Sequence, residues 1–238
     1  MACELHEFGI ARSCNLRHPV SPEEVCAHLA PLLLAERQTR IDTAAATRLA
    51  GLRVVIENLH DPHNGAAVLR SAEAFGVQRV EVIETVERFR FSSTVTQGCE
   101  KWLDVVRHRS LATATVSLRS DGFAIYAAVP GAATALDDLD FARPAAVMVG
   151  NEHEGLTPEA MAAADVRFTI PMFGLTQSLN LSVAAAIIVA RASTLRRQAL
   201  GRAGDLDTEA VTALRARFYA ASVRGADAIL ARAARSSG

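Results

Sequence analysis

The segment FGLTQSLNLSVAAAIIVARAS, residues 173–193, sets a long apolar run behind a polar entrance. From Leu181 to Ala190 it is nearly all Ala, Val, Leu and Ile, yet it is entered through Thr176, Gln177, Ser178 and Asn180. Three readings compete: a buried helix with an ordinary cap, a membrane span, or a helix whose entry loop is the lip of a binding site. A span needs about 20 apolar residues, and this run is too short and is interrupted by Ser182. A cap needs one polar side chain, and here there are several. A packed helix with a polar surplus at its start is the reading that survives.

Outward from this helix the period alternates. The β-branched run at residues 52–57 predicts a strand, and Ala67, Val68, Ala72 and Phe75 predict a helix over 64–75. Further strands are expected at 79–83, 102–106, 122–129, 145–149 and 166–170, with helices at 111–118, from Thr157-Pro158-Glu159 onward, and over about 180–200. Strands alternating with helices give an α/β fold, a mostly parallel sheet with helices on both faces. Ser21-Pro22-Glu23-Glu24 opens an N-terminal helix to about Gln38, broken or restarted near Pro31, with a short second helix at 42–50. Beyond the glycines at 201 and 204, helices are expected at 207–222 and 226–235. The organisation is a segment and helical extension at 1–50, one α/β domain at 51–200, and a basic helical extension at 201–238.

Half of the 238 residues are hydrophobic, enough for a sizeable core, and the formal net charge of −1 excludes a global electrostatic case for nucleic acid. The charge is uneven. Nine arginines lie between Arg191 and Arg235, against Asp205, Asp207, Glu209 and Asp227. That tail is either a phosphate-binding surface or a solvated helical face. Cys3, Cys14, Cys26 and Cys99 form no C-x-x-C pair and follow no signal-like leader, which favours a reducing cytoplasm. Cys3, His6, Cys14 and His18 have zinc-ligand side chains but lack finger spacing and an apolar core, so no metal is expected.

Ligands of open parallel sheets bind beyond the carboxyl ends of the strands. Three strand ends carry polar groups here: ENLHDPHNGAAVLRSAEAFG after the first strand, GNEHEGLTPE after residue 149, and PMFGLTQSLN after residue 170. Asn64 is either a helix cap or a site residue, and Arg70 can reach the same site from less than two turns away. Gly150 permits close approach of a ligand to the backbone, and Glu152 can accept backbone amides or a substrate group. No G-x-G-x-x-G, phosphate loop or G-x-S-x-G follows a strand, which disfavours dinucleotide enzymes, NTPases and α/β-hydrolases.

Together, NGAAVLRSAEAFG, VMVGNEHEGL and IPMFGLTQSLNLSVAAAI resemble the three motifs of the SpoU, or TrmH-like, branch of the SPOUT RNA methyltransferases, in order and spacing over about residues 52–195. ENLHDPHN and KWLDVVRH resemble most the subgroup that methylates the 2′-oxygen of a tRNA D-loop guanosine, position 18. The resemblance implies S-adenosylmethionine as cofactor, tRNA as RNA partner, a deep C-terminal trefoil knot and a homodimer sharing its active sites. Arg70 matches the family's catalytic arginine, and Asn64, Glu152, Ser178 and Asn180 match its polar site positions. The adenosyl group is expected against Ala128, Gly150, Ile170, Met172, Leu175, Leu179 and Leu181. Ribosomal RNA as substrate, or an RNA-binding protein without catalysis, are the alternatives. Arg70 is left as either a proton acceptor or a phosphate clamp.

Overall fold

The computed structural model describes residues 20–85 and 98–236; Cys3, His6, Cys14 and His18 lie outside them. The chain divides into two compact units, Leu49–Arg202 and a second formed by Met1–Arg48 with Ala203–Gly238.

The larger unit is a seven-stranded sheet: β1 (Leu49–Glu57), β2 (Val77–Ile83), β3 (Asp104–His108), β4 (Ala124–Ala128), β5 (Thr134–Ala135), β6 (Ala145–Val149) and β7 (Val166–Thr169). Spatial order is β3-β2-β1-β6-β4-β7-β5, and all ladders among the described residues are parallel. Every residue of β1 and β6 is buried, as expected of strands covered on both faces. On one face α3 (Pro62–Ala74) and α6 (Leu181–Leu200) cover Val54, Ile56, Val147 and Val149. On the other, α4 (Leu111–Ser120) and α5 (Pro158–Ala163) cover Val55, Ile125, Ala146 and Met148. Strand order reverses between β1 and β6, so the loops leaving their carboxyl ends flank a crevice.

Helix ends follow local chemistry. Asp61 caps α3 by accepting from His63 N at 2.8 Å, with Pro62 in the first turn, so α3 starts two residues earlier than the apolar spacing suggests. Asn64 is therefore not its cap. Asn180 caps α6, and Gly201, at φ 63°, ends it in the left-handed conformation. β5 was not expected; two residues carry no period. The strand expected from residue 102 begins at Asp104, because Cys99–Trp102 forms a 3-10 turn.

The smaller unit comprises α1 (Pro22–Leu29), α2 (Ala35–Ala46), α7 (Thr208–Ser222) and α8 (Ala226–Ser236). Ser21 and Glu24 form a capping box on α1. Pro31 divides the N-terminal helix, as its position suggests, but α2 starts at Ala35 and stops before residue 47, and residues 49 and 50 belong to β1. Gln38 Nε2 closes the break by donating to the Ala30 and Leu33 carbonyls at 2.8 and 2.9 Å. Val25, Leu29, Leu214 and Phe218 are buried, and Tyr219 donates to Asp42 at 3.0 Å. Burial, then the Asp42 hydrogen bond, push the Tyr219 phenol up to about 12.

Several arginines of the basic tail are tied to the fold, and one of them is buried. Arg196 is 2 % exposed and donates to the carbonyls of Phe141 and Arg143 at 3.1 and 3.0 Å. Arg191 pairs with Asp137 at 2.6 Å, and Arg197 donates to the Phe75 carbonyl at 3.1 Å.

A charged cluster lies inside the sheet. Arg53 on β1, fully buried, pairs with Asp121 at 2.9 Å and Glu81 at 3.4 Å and stacks 4.0 Å over the Phe123 ring. Glu81 also meets Arg79 at 2.6 Å and His108 Nε2 at 2.8 Å. Burial pushes the Glu81 carboxyl up, but the His108 hydrogen bond and the Arg79 and Arg53 charges outweigh it and hold it below its ordinary value. Because the folded pKa is depressed, this stability is present above the unfolded value of about 4.3 and is lost as pH falls through the folded one. Glu81→Gln leaves Arg53 with less compensation and is expected to cost on the order of 3 kcal/mol in urea unfolding at neutral pH. The difference from the parent should shrink as the titration approaches about pH 3.

Candidate active site

The loops leaving β1, β6 and β7 meet at the crevice. Glu152, on the loop after β6, accepts from the backbone N–H groups of His60 and Asp61 at 3.4 and 3.3 Å. It also accepts from Asn64 Nδ2 at 2.9 Å. The other end of the Asn64 amide accepts from Asn180 Nδ2 at 3.4 Å. Asn180 Oδ1 meanwhile caps α6, accepting from Ser182 N at 2.9 Å and Ser182 Oγ at 2.6 Å. One file of hydrogen bonds, Asn180 to Asn64 to Glu152, thus joins the three polar stretches. The surplus of polar groups before α6 is explained: Asn180 caps with its oxygen and reaches across with its nitrogen.

Beside this file lies a cavity of about 330 Å³, within the range of small-molecule sites. Its floor is apolar, from Val149, Phe168, Leu181, Ala184 and Ile188; its rim carries Gly150, Glu152, His153 and Ser178. Of the residues expected against the adenosyl group, Ala128, Gly150, Ile170, Met172, Leu179 and Leu181 line it. Leu175 does not. It is fully exposed, as is Phe173, because the chain swings outward beyond Pro171 before Thr176 and Gln177 return to a shallower recess beside Pro130 and Gly131. Arg70 is exposed on α3, two turns beyond its start and outside the hydrogen-bonded file.

The loop after β6 is stiff. Asn151 and Gly155 form an antiparallel bridge, and Asn151 Oδ1 accepts from the N–H groups of His153 and Glu154 at 2.9 and 2.7 Å. A Cβ on Gly150 would sit 1.9 Å from the Gly155 carbonyl carbon, so glycine is required by the loop's approach to itself.

Sequence reasoning missed two residues here. Glu57, 2 % exposed, accepts from Thr157 N at 2.9 Å and Thr157 Oγ1 at 2.7 Å. Asn58 has φ 48°, the one non-glycine at positive φ among the described residues, and its Oδ1 accepts from Thr85 N and Oγ1 at 3.0 and 2.7 Å. The sequence signal for Glu57 was a lone acid ending an apolar strand; Asn58 had none beyond its tolerance of that conformation. Nucleophilic sulfur chemistry is disfavoured at Cys99, whose thiol burial pushes up to about 11. No group of three or more His, Cys, Asp or Glu residues among the described residues could hold a metal.

A parallel α/β sheet with a cavity among the loops after β4, β6 and β7 and a polar file on its rim has the form of a small-molecule site of the open-sheet class. Residues 51–190 match the model of the SpoU rRNA methylase family. The tRNA (guanosine(18)-2′-O)-methyltransferase of Escherichia coli K12 is 37 % identical over 164 residues, 68 % of this chain and 72 % of that protein. The crystal structure of the A. aeolicus TrmH/SpoU tRNA modifying enzyme superposes with a TM-score of 0.70 at 27 % identity, over 79 % of this chain and 98 % of that one. The SpoU methyltransferase AviRb from Streptomyces viridochromogenes, in complex with AdoMet, gives 0.57 at 25 % identity, over 64 % and 62 %. The chain belongs to the SpoU rRNA methylase family: it is an RNA methyltransferase, and its methyl donor is S-adenosylmethionine.

Gly150→Ala forces the loop off Gly155. It is expected to lower stability by about 1–3 kcal/mol and to abolish S-adenosylmethionine binding, read by thermal unfolding and by calorimetry on the folded variant.

Proposed function

We propose that the chain methylates the ribose 2′-oxygen of guanosine 18 in the D-loop of tRNA. The observation that carries this reading is the Asn180–Asn64–Glu152 file on the rim of the cavity, in a chain whose E. coli relative bears that activity in its name. S-adenosylmethionine supplies an electrophilic methyl group. A ribose hydroxyl is a weak nucleophile, so the protein's work is in-line positioning and polarisation of the hydroxyl. Ala128, Gly150, Ile170, Met172, Leu179 and Leu181 hold the adenosyl group against the strand ends, with Ser178 on the rim nearby. Glu152 and Asn64 act as positioning residues, since they bind the loop after β1 and each other. A guanidinium is a poor base and a strong phosphate ligand. Arg70, exposed on α3 on a different face from Asn64, grips the phosphate beside the reacting ribose and polarises its hydroxyl.

The reading extends to assembly. Val183 and Ile187, one turn apart on α6, are 48 % and 40 % exposed, and Phe173 and Leu175 stand out beside their N-terminal approach. An apolar patch of this kind suits a second copy of the chain, and a homodimer completes the site with residues from both copies. A trefoil knot belongs to the same reading, supported by the position of β7 between β4 and β5, both earlier in sequence. Residues 1–50 and 201–238 are then extensions of the domain at 51–200, the basic 201–238 extension contacts RNA, and the enzyme works in the cytoplasm. No helix among the described residues is long and apolar enough to cross a membrane.

The family's name carries ribosomal RNA as a second substrate class. Labelled-methyl transfer to bulk tRNA and ribosomal RNA, followed by mapping of the modified nucleotide, decides between them: methyl on guanosine 18 is expected, and methyl confined to ribosomal RNA overturns the assignment. No transfer to either would leave an RNA-binding protein without catalysis. Arg70→Ala is expected to abolish transfer while S-adenosylmethionine affinity in calorimetry stays at the parent value. Ile187→Glu is expected to halve the mass seen in sedimentation and to remove activity with it.

A further inference from the structure

Glu57 is the last residue of β1, buried, and outside the set of residues that line the cavity. Both its carboxylate oxygens are spent on one residue: Oε2 accepts from Thr157 N at 2.9 Å and Oε1 from Thr157 Oγ1 at 2.7 Å. Thr157 caps α5 through the same hydroxyl, which accepts from Ala160 N at 3.1 Å. The turn at residues 150–156 is thus anchored twice. At its start it grows out of β6; at its end it is pinned by Glu57. Between those points it closes on itself through the Asn151–Gly155 bridge, so its residues are cross-linked to one another between the two anchors. Gly150, Glu152 and His153 on that turn form a wall of the cavity.

The arrangement is reciprocal. Glu152 on the loop after β6 holds the backbone of the loop after β1 at His60 and Asp61. Glu57 at the end of β1 holds the loop after β6 at Thr157. The first clasp is exposed and sits in the polar file; the second is buried and holds the end of the turn that walls the cavity. Buried charge-assisted bonds to a backbone N–H and a hydroxyl fix position strongly, because no water replaces them when they break.

We propose that Glu57 is a positioning residue for methyl transfer: acting through Thr157, it sets the wall of the donor cavity and thereby the affinity for S-adenosylmethionine. The proposal rests on the functional reading above. Glu57→Gln removes the negative charge from both bonds and forces the Thr157 hydroxyl to turn from donating to accepting. Thr157→Val removes the hydroxyl, and Thr157→Ser keeps both donors. Calorimetry with S-adenosylmethionine and filter binding with tRNA transcript, on variants shown folded by thermal unfolding, separate the two ligands. Glu57→Gln and Thr157→Val are each expected to weaken donor binding by about 10- to 100-fold, with a much smaller change in tRNA affinity. Thr157→Ser is expected to behave as the parent, and the double variant Glu57→Gln/Thr157→Val to be no worse than either single. If Glu57→Gln does not fold, Thr157→Val against Thr157→Ser carries the same comparison. Parental donor affinity in folded Glu57→Gln or Thr157→Val overturns the proposal, as does equal loss for donor and tRNA. A parent chain that binds no S-adenosylmethionine overturns the functional reading and this proposal with it.

Discussion

Two adjacent parallel strands, β1 and β6, are buried on both faces, and their carboxyl ends open at the same edge of the sheet. That constraint governs the site. Loops leaving buried strands in register must cross the same small area, and their backbone groups cannot be left without partners there. Glu57 and Glu152 answer this requirement from opposite loops. The crevice that results is a consequence of strand order, and the cavity lies beside it, among the loops after β4, β6 and β7, with α6 in its floor.

Much of this was legible in the sequence, for a physical reason. A strand buried on both faces reads as an unbroken apolar run, so β6 was found to the residue at 145–149. A strongly apolar helix with a polar entrance reads as α6, and its cap was among the residues named. Chemistry at strand ends is legible too, because polar residues directly after an apolar run are conspicuous. Asn64, Glu152 and Asn180 were separately noticeable, and the fold brings them into one file.

What escaped has equally specific causes. Asp61, not Asn64, caps α3, since Asp followed by Pro is the stronger start and the apolar period alone cannot show it. α2 was placed seven residues late because the break at Pro31 is bridged by Gln38, a contact no period records. The resemblance places Leu175 beside the adenosyl group, while the path of the backbone turns it outward, which no sequence period records. The arginines of the tail looked alike as a run of charge, yet Arg196 is sealed under three consecutive carbonyl-bearing residues and Arg191 is matched to Asp137. Charge in a sequence does not say which side of the surface it faces.

The pairing of β1 with β6 also has a consequence in time. Val54 lies beside Val147 in the finished sheet, so a central strand of the core is made long before its neighbour exists. At translation speeds of about 5–20 residues per second the wait lasts on the order of several seconds. Through that interval a β-branched segment has one exposed edge and apolar residues on both faces, the combination most prone to pairing with another chain. The order of strands that creates the crevice therefore makes the nascent protein a natural client for factors that shelter unfinished sheets.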